Sequence, residues 1–257
     1  MRRGGGKLKL FIGVAIVAFA VIKYFGSAET NEHTGEKQYI DLTIDEEIAL
    51  GLQATPSMIE QHGGLYPNQE YQDIVDAVGA KLVNSSIGKS TNYQYDFHLL
   101  ADDRTINAFA LPGGQCFITY ALYQQLENVD QLAGVLGHEI GHVVAKHSAQ
   151  RMSQQGLAQG VITGVSVGTD GSGGEAAAAI AQMLTMKYGR DDELQSDELG
   201  VKMMMDAGFD PYEMIGVMKI LKAAGGPNRT PEFQSTHPDP ENRIERIKEA
   251  IEFYRKA

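Results

Sequence analysis

The chain has no tryptophan, one cysteine and only 8 prolines in 257 residues. A single thiol closes no intrachain disulfide and builds no cysteine zinc cluster. Cys116 lies in the apolar run Cys116-Phe117-Ile118 and reads as a small buried hydrophobe. Positive charge is also short: 22 Lys and Arg face 33 Asp and Glu, a net charge of −11. Phosphate binding needs clustered basic residues, so the balance argues against nucleic acid as a partner. No repeat of fixed period is present. The hydrophobic fraction of 43% is that of a globular chain with a core.

Long apolar runs are scarce, and the clear one stands at the N-terminus. Arg2, Arg3, Lys7 and Lys9 precede Leu10 to Ile22, and Lys23, Tyr24 and Phe25 follow. This is the pattern of an export signal or a short membrane anchor. A spanning helix needs about 17–25 residues. Leu8 to Phe25 reaches that length if the flanking lysines snorkel and the aromatics sit at the interface. Gly26-Ser27-Ala28 is an acceptable cleavage site, so a cleaved signal stays open. Both readings leave the basic tip in the cytoplasm and send the remainder across the membrane. The expected division is residues 1–26 as anchor or signal, 27–42 as a polar linker, and 43–257 as one folded domain.

Within that domain, Thr43-Ile44-Asp45-Glu46 matches a capping box and predicts a helix toward His62. A second helix is predicted from about Asn68 to Val83. Three strands are predicted over Tyr93–Leu100, Ile106–Leu111 and Gln115–Tyr120, the last two joined by Pro112-Gly113-Gly114. Asp130 to His147 reads as a strong helix. Gly156 to Gly174 is rich in glycine, whose ordering is costly, and reads as a loop, either a mobile flap or a plain surface segment. Further helices are predicted over Glu175–Tyr188, Asp191–Ala207, from Asp210-Pro211 onward, and after a cap at Asp239. The elements add up to an α+β, mainly helical fold with a small antiparallel sheet and one N-terminal hydrophobic helix.

The chemistry concentrates in His138-Glu139-Ile140-Gly141-His142. Residues four apart on a helix lie about 40° from each other, so both imidazoles can address one ion. Glu139 sits about 100° round from His138 and can reach a water on that ion. A catalytic zinc needs three protein ligands and an open position. It lowers the pKa of a water toward neutrality, and a carboxylate takes the proton as the water attacks a carbonyl. The third ligand must come from elsewhere. Glu193 and Asp197 share a face, so one can ligate while the other accepts the outer N–H of a ligand histidine. On spacing alone Glu198 rivals Glu193. His147, five residues past His142, points to another side of a continuous helix and reads as structural. His33, His62 and His98 read as surface residues, and Met203-Met204-Met205 as core filling.

Four segments, in order, closely resemble one gluzincin group: Asn107–Gly114 (NAFALPGG), Gly137–Met152 (GHEIGHVVAKHSAQRM), Arg190–Asp197 (RDDELQSD) and His237–Ile244 (HPDPENRI). The group includes the CAAX prenyl proteases, the HtpX heat-shock membrane protease and the OMA-type inner-membrane protease. The resemblance implies a zincin fold with one zinc per chain, held by His138, His142 and Glu193, and Glu139 as general base. It implies that Asp197 supports a ligand histidine, with Arg243 beside it. Asn107, Ala108, Phe109 and Ala110 resemble the edge strand along which an extended substrate lies. His237 resembles a downstream histidine that stabilises the oxyanion or caps the metal. Ser196 departs from the commoner Ala. The implied activity is a zinc metalloendopeptidase of the cell envelope, acting on unfolded or damaged polypeptides from the extracytoplasmic side. The alternative is an exported zinc-binding chaperone or assembly factor with latent protease activity. Prenyl-protein processing fits poorly, because several spanning helices are expected of that branch.

Overall fold

The computed structural model describes residues 5–169, 189–224, 233, 237 and 242–256. The chain divides into two compact units, one of Met1–Thr43 with Ser148–Met186, the other of Ile44–His147 with Lys187–Ala257.

The second, larger unit carries the motifs. Helix α2 (Ile44–Gln61) starts where the capping box predicts. Helix α3 (Gln69–Ser85) is capped by Asn68, whose side chain accepts from the Glu70 amide. A three-stranded sheet follows, made of β3 (Asp96–Leu100), β4 (Ala108–Ala110) and β5 (Gln115–Thr119) in the order β3-β5-β4. It is mixed where a purely antiparallel sheet is expected: β4 pairs antiparallel to β5, but β3 pairs parallel to it. The chain leaves β3, crosses to the far edge to form β4, and turns back through Pro112-Gly113-Gly114 into the centre. That turn needs its glycines. Gly113 and Gly114 have φ of 82° and 106°, and a Cβ on Gly113 would strike the backbone of Ile48 in α2.

After the single turn α4 (Tyr120–Tyr123) comes α5 (Val129–Val144), which Asn128 caps by accepting from the Gln131 amide. Every residue of α5 from Gln131 to Val144 is buried. Helices α7 (Arg190–Asp206), α8 (Glu213–Ala224) and α9 (Arg243–Tyr254) complete the unit. The core runs from Val75, Val78 and Leu82 of α3 through Leu136 and Ile140 of α5 to Met203, Met214 and Ile247. Met203 and Met204 fill it as expected, and Cys116 is buried. The last helix begins at Arg243 behind Asn242, at φ 71°; the expected cap Asp239 and the helix expected over Glu175–Tyr188 lie outside the described residues.

The first unit holds the N-terminal helix α1 (Gly5–Gly26), a two-stranded ribbon of β1 (Ala28–Thr30) and β2 (Lys37–Tyr39), and α6 (His147–Gly168), whose first residue alone belongs to the larger unit. The loop expected from Gly156 is helical as far as Gly168, and the rest of that stretch lies outside the described residues. The reason is positional. Gly156, Gly160, Gly164 and Gly168 recur every four residues and so share one face. A Cβ on Gly160 would strike Ala20, and one on Gly164 would come within 2.5 Å of Val17 Cγ2. Close backbone approach to α1 offsets the entropic cost of glycine in a helix. Outside that contact α1 exposes Phe11, Phe19 and Ile22.

Candidate metal centre

Two helices distant in sequence build the centre, and glycine lets them meet. Where α5 crosses α7, a Cβ on Gly200 would lie 3.1 Å from the Gly137 carbonyl carbon and from the His138 nitrogen, and one on Gly141 would lie 2.8 Å from the Ser196 carbonyl oxygen. Only bare backbone fits there. The approach carries the HExxH face of α5 onto the acidic face of α7.

His138, His142, Glu193 and His237 form a fully buried group whose ligand atoms all lie within 4.8 Å of one another, able to hold a metal ion. His138 Nε2 stands 3.0 Å from His142 Nε2 and 3.3 Å from His237 Nδ1. Glu193 Oε2 lies 3.4 Å from His138 Nε2, and Glu193 Oε1 lies 3.5 Å from His142 Nε2 and 3.1 Å from His237 Nδ1. Zinc–nitrogen bonds of about 2.0–2.1 Å in a tetrahedron imply donor separations of about 3.3 Å. The observed spacings match. Glu139 Oε1 and Glu193 Oε2 are buried and make no hydrogen bond, although the Arg243 guanidinium lies 3.4 Å from Glu193 Oε2; for Glu139 Oε1 that is a costly arrangement unless a polar group or cation faces it.

The electrostatics also call for a cation. Burial disfavours the charge on Glu193, yet its three histidine partners hold its carboxyl well below the ordinary range. Burial likewise works against charge on His138, but Asp197 and Glu193 outweigh it and raise its pKa to about 9. Burial keeps His142 well below its usual value. Glu139 has its pKa raised by burial, against the pull of His237 and His138.

Around it, His138 Nδ1 donates to Asp197 Oδ1 at 2.8 Å. Arg243 grips the same carboxylate through Nε to Oδ2 at 2.6 Å and Nη2 to Oδ1 at 2.9 Å. Glu139 lies beside the cluster, its Oε1 3.8 Å from His237 Nε2. Asn107 is buried just before β4, and its Oδ1 makes no hydrogen bond. Ala108, Phe109 and Ala110 form β4, an edge strand of the sheet. Glu198, the rival on spacing, is exposed and accepts from the Tyr254 hydroxyl at 3.1 Å, away from the centre.

Four histidines stand further in than expected: His33, like His62 and His98, is half-buried, and His147, read as a structural hydrogen-bonding residue on another side of the helix, does hydrogen-bond but faces the centre. His147 is buried against the centre, its Nδ1 2.8 Å from His142 Nδ1. The helix does not continue: Lys146 adopts φ 57° and redirects the chain. No residue type at 146 signals this, since lysine seldom takes that conformation. His62 and His98 are half-buried and paired, with Asp102 at 3.0 Å and Gln115 at 2.9 Å.

Crossed helices presenting HExxH and a downstream glutamate define a metallopeptidase of the zincin class. Comparison with known sequences gives the family: residues 69–251 match the profile of Peptidase family M48, and the chain belongs to it. It is 27% identical over 237 residues to the mitochondrial metalloendopeptidase OMA1 of Schizosaccharomyces pombe, covering 91% of this chain and 70% of that one. It is 28% identical over 247 residues to the beta-barrel assembly-enhancing protease of Escherichia coli, covering 91% of this chain and 48% of that one. With the namesake from Yersinia pestis the identity is 31% over 214 residues, 79% of this chain and 43% of that one. The chain therefore spans about half the length of these bacterial relatives. Zinc is the metal of the family, and the protein is a metalloendopeptidase with His138, His142, Glu193 and His237 as its candidate metal site.

Proposed function

We propose that this endopeptidase works at the extracytoplasmic face of a cell membrane, tethered by α1, and cuts unfolded or damaged envelope polypeptides. His138, His142 and Glu193 would hold the zinc, which when bound supplies Lewis acidity to a water and to the scissile carbonyl. Glu139 takes the proton from the attacking water and passes it to the leaving amine. Burial favours the neutral carboxyl there, which suits a group that must accept a proton and then give it up. His237 donates to the oxyanion as it forms. Asp197, locked by Arg243, fixes the His138 proton on Nδ1 and leaves Nε2 for the metal. An extended substrate adds to β4 along Asn107, Ala108, Phe109 and Ala110 through main-chain hydrogen bonds, a mode that asks little of side-chain sequence. Substrates that are unfolded satisfy it best.

The observation that carries the reading is the buried convergence of His138, His142 and Glu193 within 4.8 Å of one another, with Glu139 and His237 beside them. One test uses the full chain in detergent with unfolded casein. Wild type should bind one zinc and cleave. Glu139→Gln should keep the zinc and lose at least about 100-fold in rate, the scale of general-base catalysis. Glu193→Gln should lose both. A wild-type chain that takes up no stoichiometric zinc would overturn the reading.

A second reading has its own support. His237 Nδ1 lies 3.3 Å from His138 Nε2, close enough to fill the fourth corner around the ion. In that arrangement the chain is a zinc-held chaperone whose hydrolysis is latent. His237→Ala should then raise casein cleavage; in the leading reading it lowers it.

A further inference from the structure

The two HExxH histidines are supported differently. His138 leans on a carboxylate, Asp197. His142 leans on a neutral side chain: its Nδ1 lies 2.8 Å from Nδ1 of His147, and His147 Nε2 lies 2.9 Å from Gln195 Oε1. Ser196 Oγ stands 3.3 Å from the same His147 Nδ1, and Asp192 Oδ1 stands 3.8 Å from Nε2. Resting on the zinc-peptidase reading above, we propose that His147 is the positioning residue of His142, fixing its tautomer and ring plane through an imidazole relay that ends on Gln195.

Hydrogen-bond direction makes the relay specific. For His142 Nε2 to offer a lone pair to the metal, its proton must sit on Nδ1. That proton needs an acceptor, and the atom facing it is His147 Nδ1. His147 must then carry its own proton on Nε2, and Nε2 faces an amide oxygen. Reversing any link along this line puts a proton on the atom meant for the metal.

The backbone is bent to make this contact. Lys146 adopts φ 57°, a conformation in which side chains other than glycine are uncommon, between the end of α5 and His147. Its ammonium lies 3.6 Å from the buried Glu47 carboxylate, which also accepts from the Tyr93 hydroxyl at 2.8 Å. A straight continuation of α5 would turn residue 147 about 140° away from residue 142. The left-handed residue swings it back.

The test is zinc affinity of the metal-stripped full chain, measured by competition with a chromophoric chelator, with cobalt(II) absorption as a second readout. The two carboxamides separate positioning from packing. Asparagine places its oxygen near the site of Nδ1, glutamine near that of Nε2. His147→Ala and His147→Gln should weaken zinc about 10–100-fold and shift the cobalt bands, while His147→Asn restores both. Gln195→Glu, a change at a half-buried position, should tighten zinc by strengthening the last acceptor. The proposal is overturned if His147→Gln binds zinc like wild type, if Asn is as weak as Gln, or, should the position-147 variants not fold, if Gln195→Glu leaves affinity unchanged. Each of these is distinct from failure of the zinc reading itself, in which wild type holds no zinc at all.

Discussion

Asp197 is shared between His138 of the candidate metal site and a guanidinium, all three buried, and the sharing decides what its loss would do. Burial raises a carboxyl's pKa, but here Arg243 and His138 reverse that and hold Asp197 below the ordinary range. Its ionised form is therefore the favoured one within the site. Asp197→Asn keeps the shape but drops the charge that raises the donor strength of His138. Zinc affinity should fall about 10–100-fold, while Glu139→Gln leaves it unchanged. Chelator competition on both variants checks the contrast. Breaking the pair from the other side is worse for the fold: Arg243→Met leaves a buried carboxylate short of its cation and should cost about 3–5 kcal/mol in denaturant unfolding. These residues are legible in the sequence because chemistry constrains their types and spacing. Two imidazoles four apart and an acidic pair four apart are geometry written in sequence. Choosing Glu193 over Glu198 needs the family pattern, because both carboxylates sit on one helix and spacing alone does not say which faces α5. His147 is not legible: a helix assumed continuous sends it elsewhere, and the left-handed turn falls on a lysine.

Elements show a similar division. Helices α2, α3 and α5 and the edge strand can be read from caps, periodicity and the Pro-Gly-Gly turn. Helix α6 cannot, since its glycines signal a loop unless a partner helix is known to cover them. The glycines at the crossing of α5 and α7 are equally silent. Gly200→Ala should cost about 1–3 kcal/mol, because the added methyl meets backbone atoms 3.1 Å away that cannot step aside. The same shift separates Glu193 from the two imidazoles, so urea midpoint and zinc retention should fall together. The loop feeding β4 adds a pH dependence. Burial pushes the Asp102 carboxyl up, but His62 and the amides of Thr105 and Arg104 bring it down to about 2. An aspartate in the unfolded chain titrates near ~3.9. The folded value is the lower one, so its stabilisation is complete above that pH and is lost as pH falls toward 2. Urea unfolding at stepped pH checks this: Asp102→Asn should flatten the acid limb of the stability curve across that window and lower the plateau above it.

At the scale of the whole molecule, α1 has two different surfaces. One face carries Gly13, Val17 and Ala20 against the glycine face of α6, where backbones come close. The other leaves Phe11, Phe19 and Ile22 about 70% exposed. Residues Gly6–Gly26 are long and apolar enough to cross a membrane. Water does not tolerate such a face cheaply, at roughly 25 cal/mol per Å² of apolar surface, and a bilayer does. Small residues at a helix contact are also what packing in lipid selects, because no hydrophobic force operates there and close approach must supply the attraction. The two surfaces can be separated by experiment. Phe11→Lys with Phe19→Lys places charge on the exposed face, each costing about 2.5–3.5 kcal/mol near a bilayer centre, and should move the chain from the carbonate-washed membrane pellet to the supernatant. Gly160→Leu with Gly164→Leu attacks only the inner face. That variant should stay in the pellet, yet α6 should lose protection in hydrogen exchange, because bulky side chains hold the two helices apart. If instead the lysine variant stays with the membrane and the leucine variant leaves it, α1 is a docking helix and not a membrane anchor.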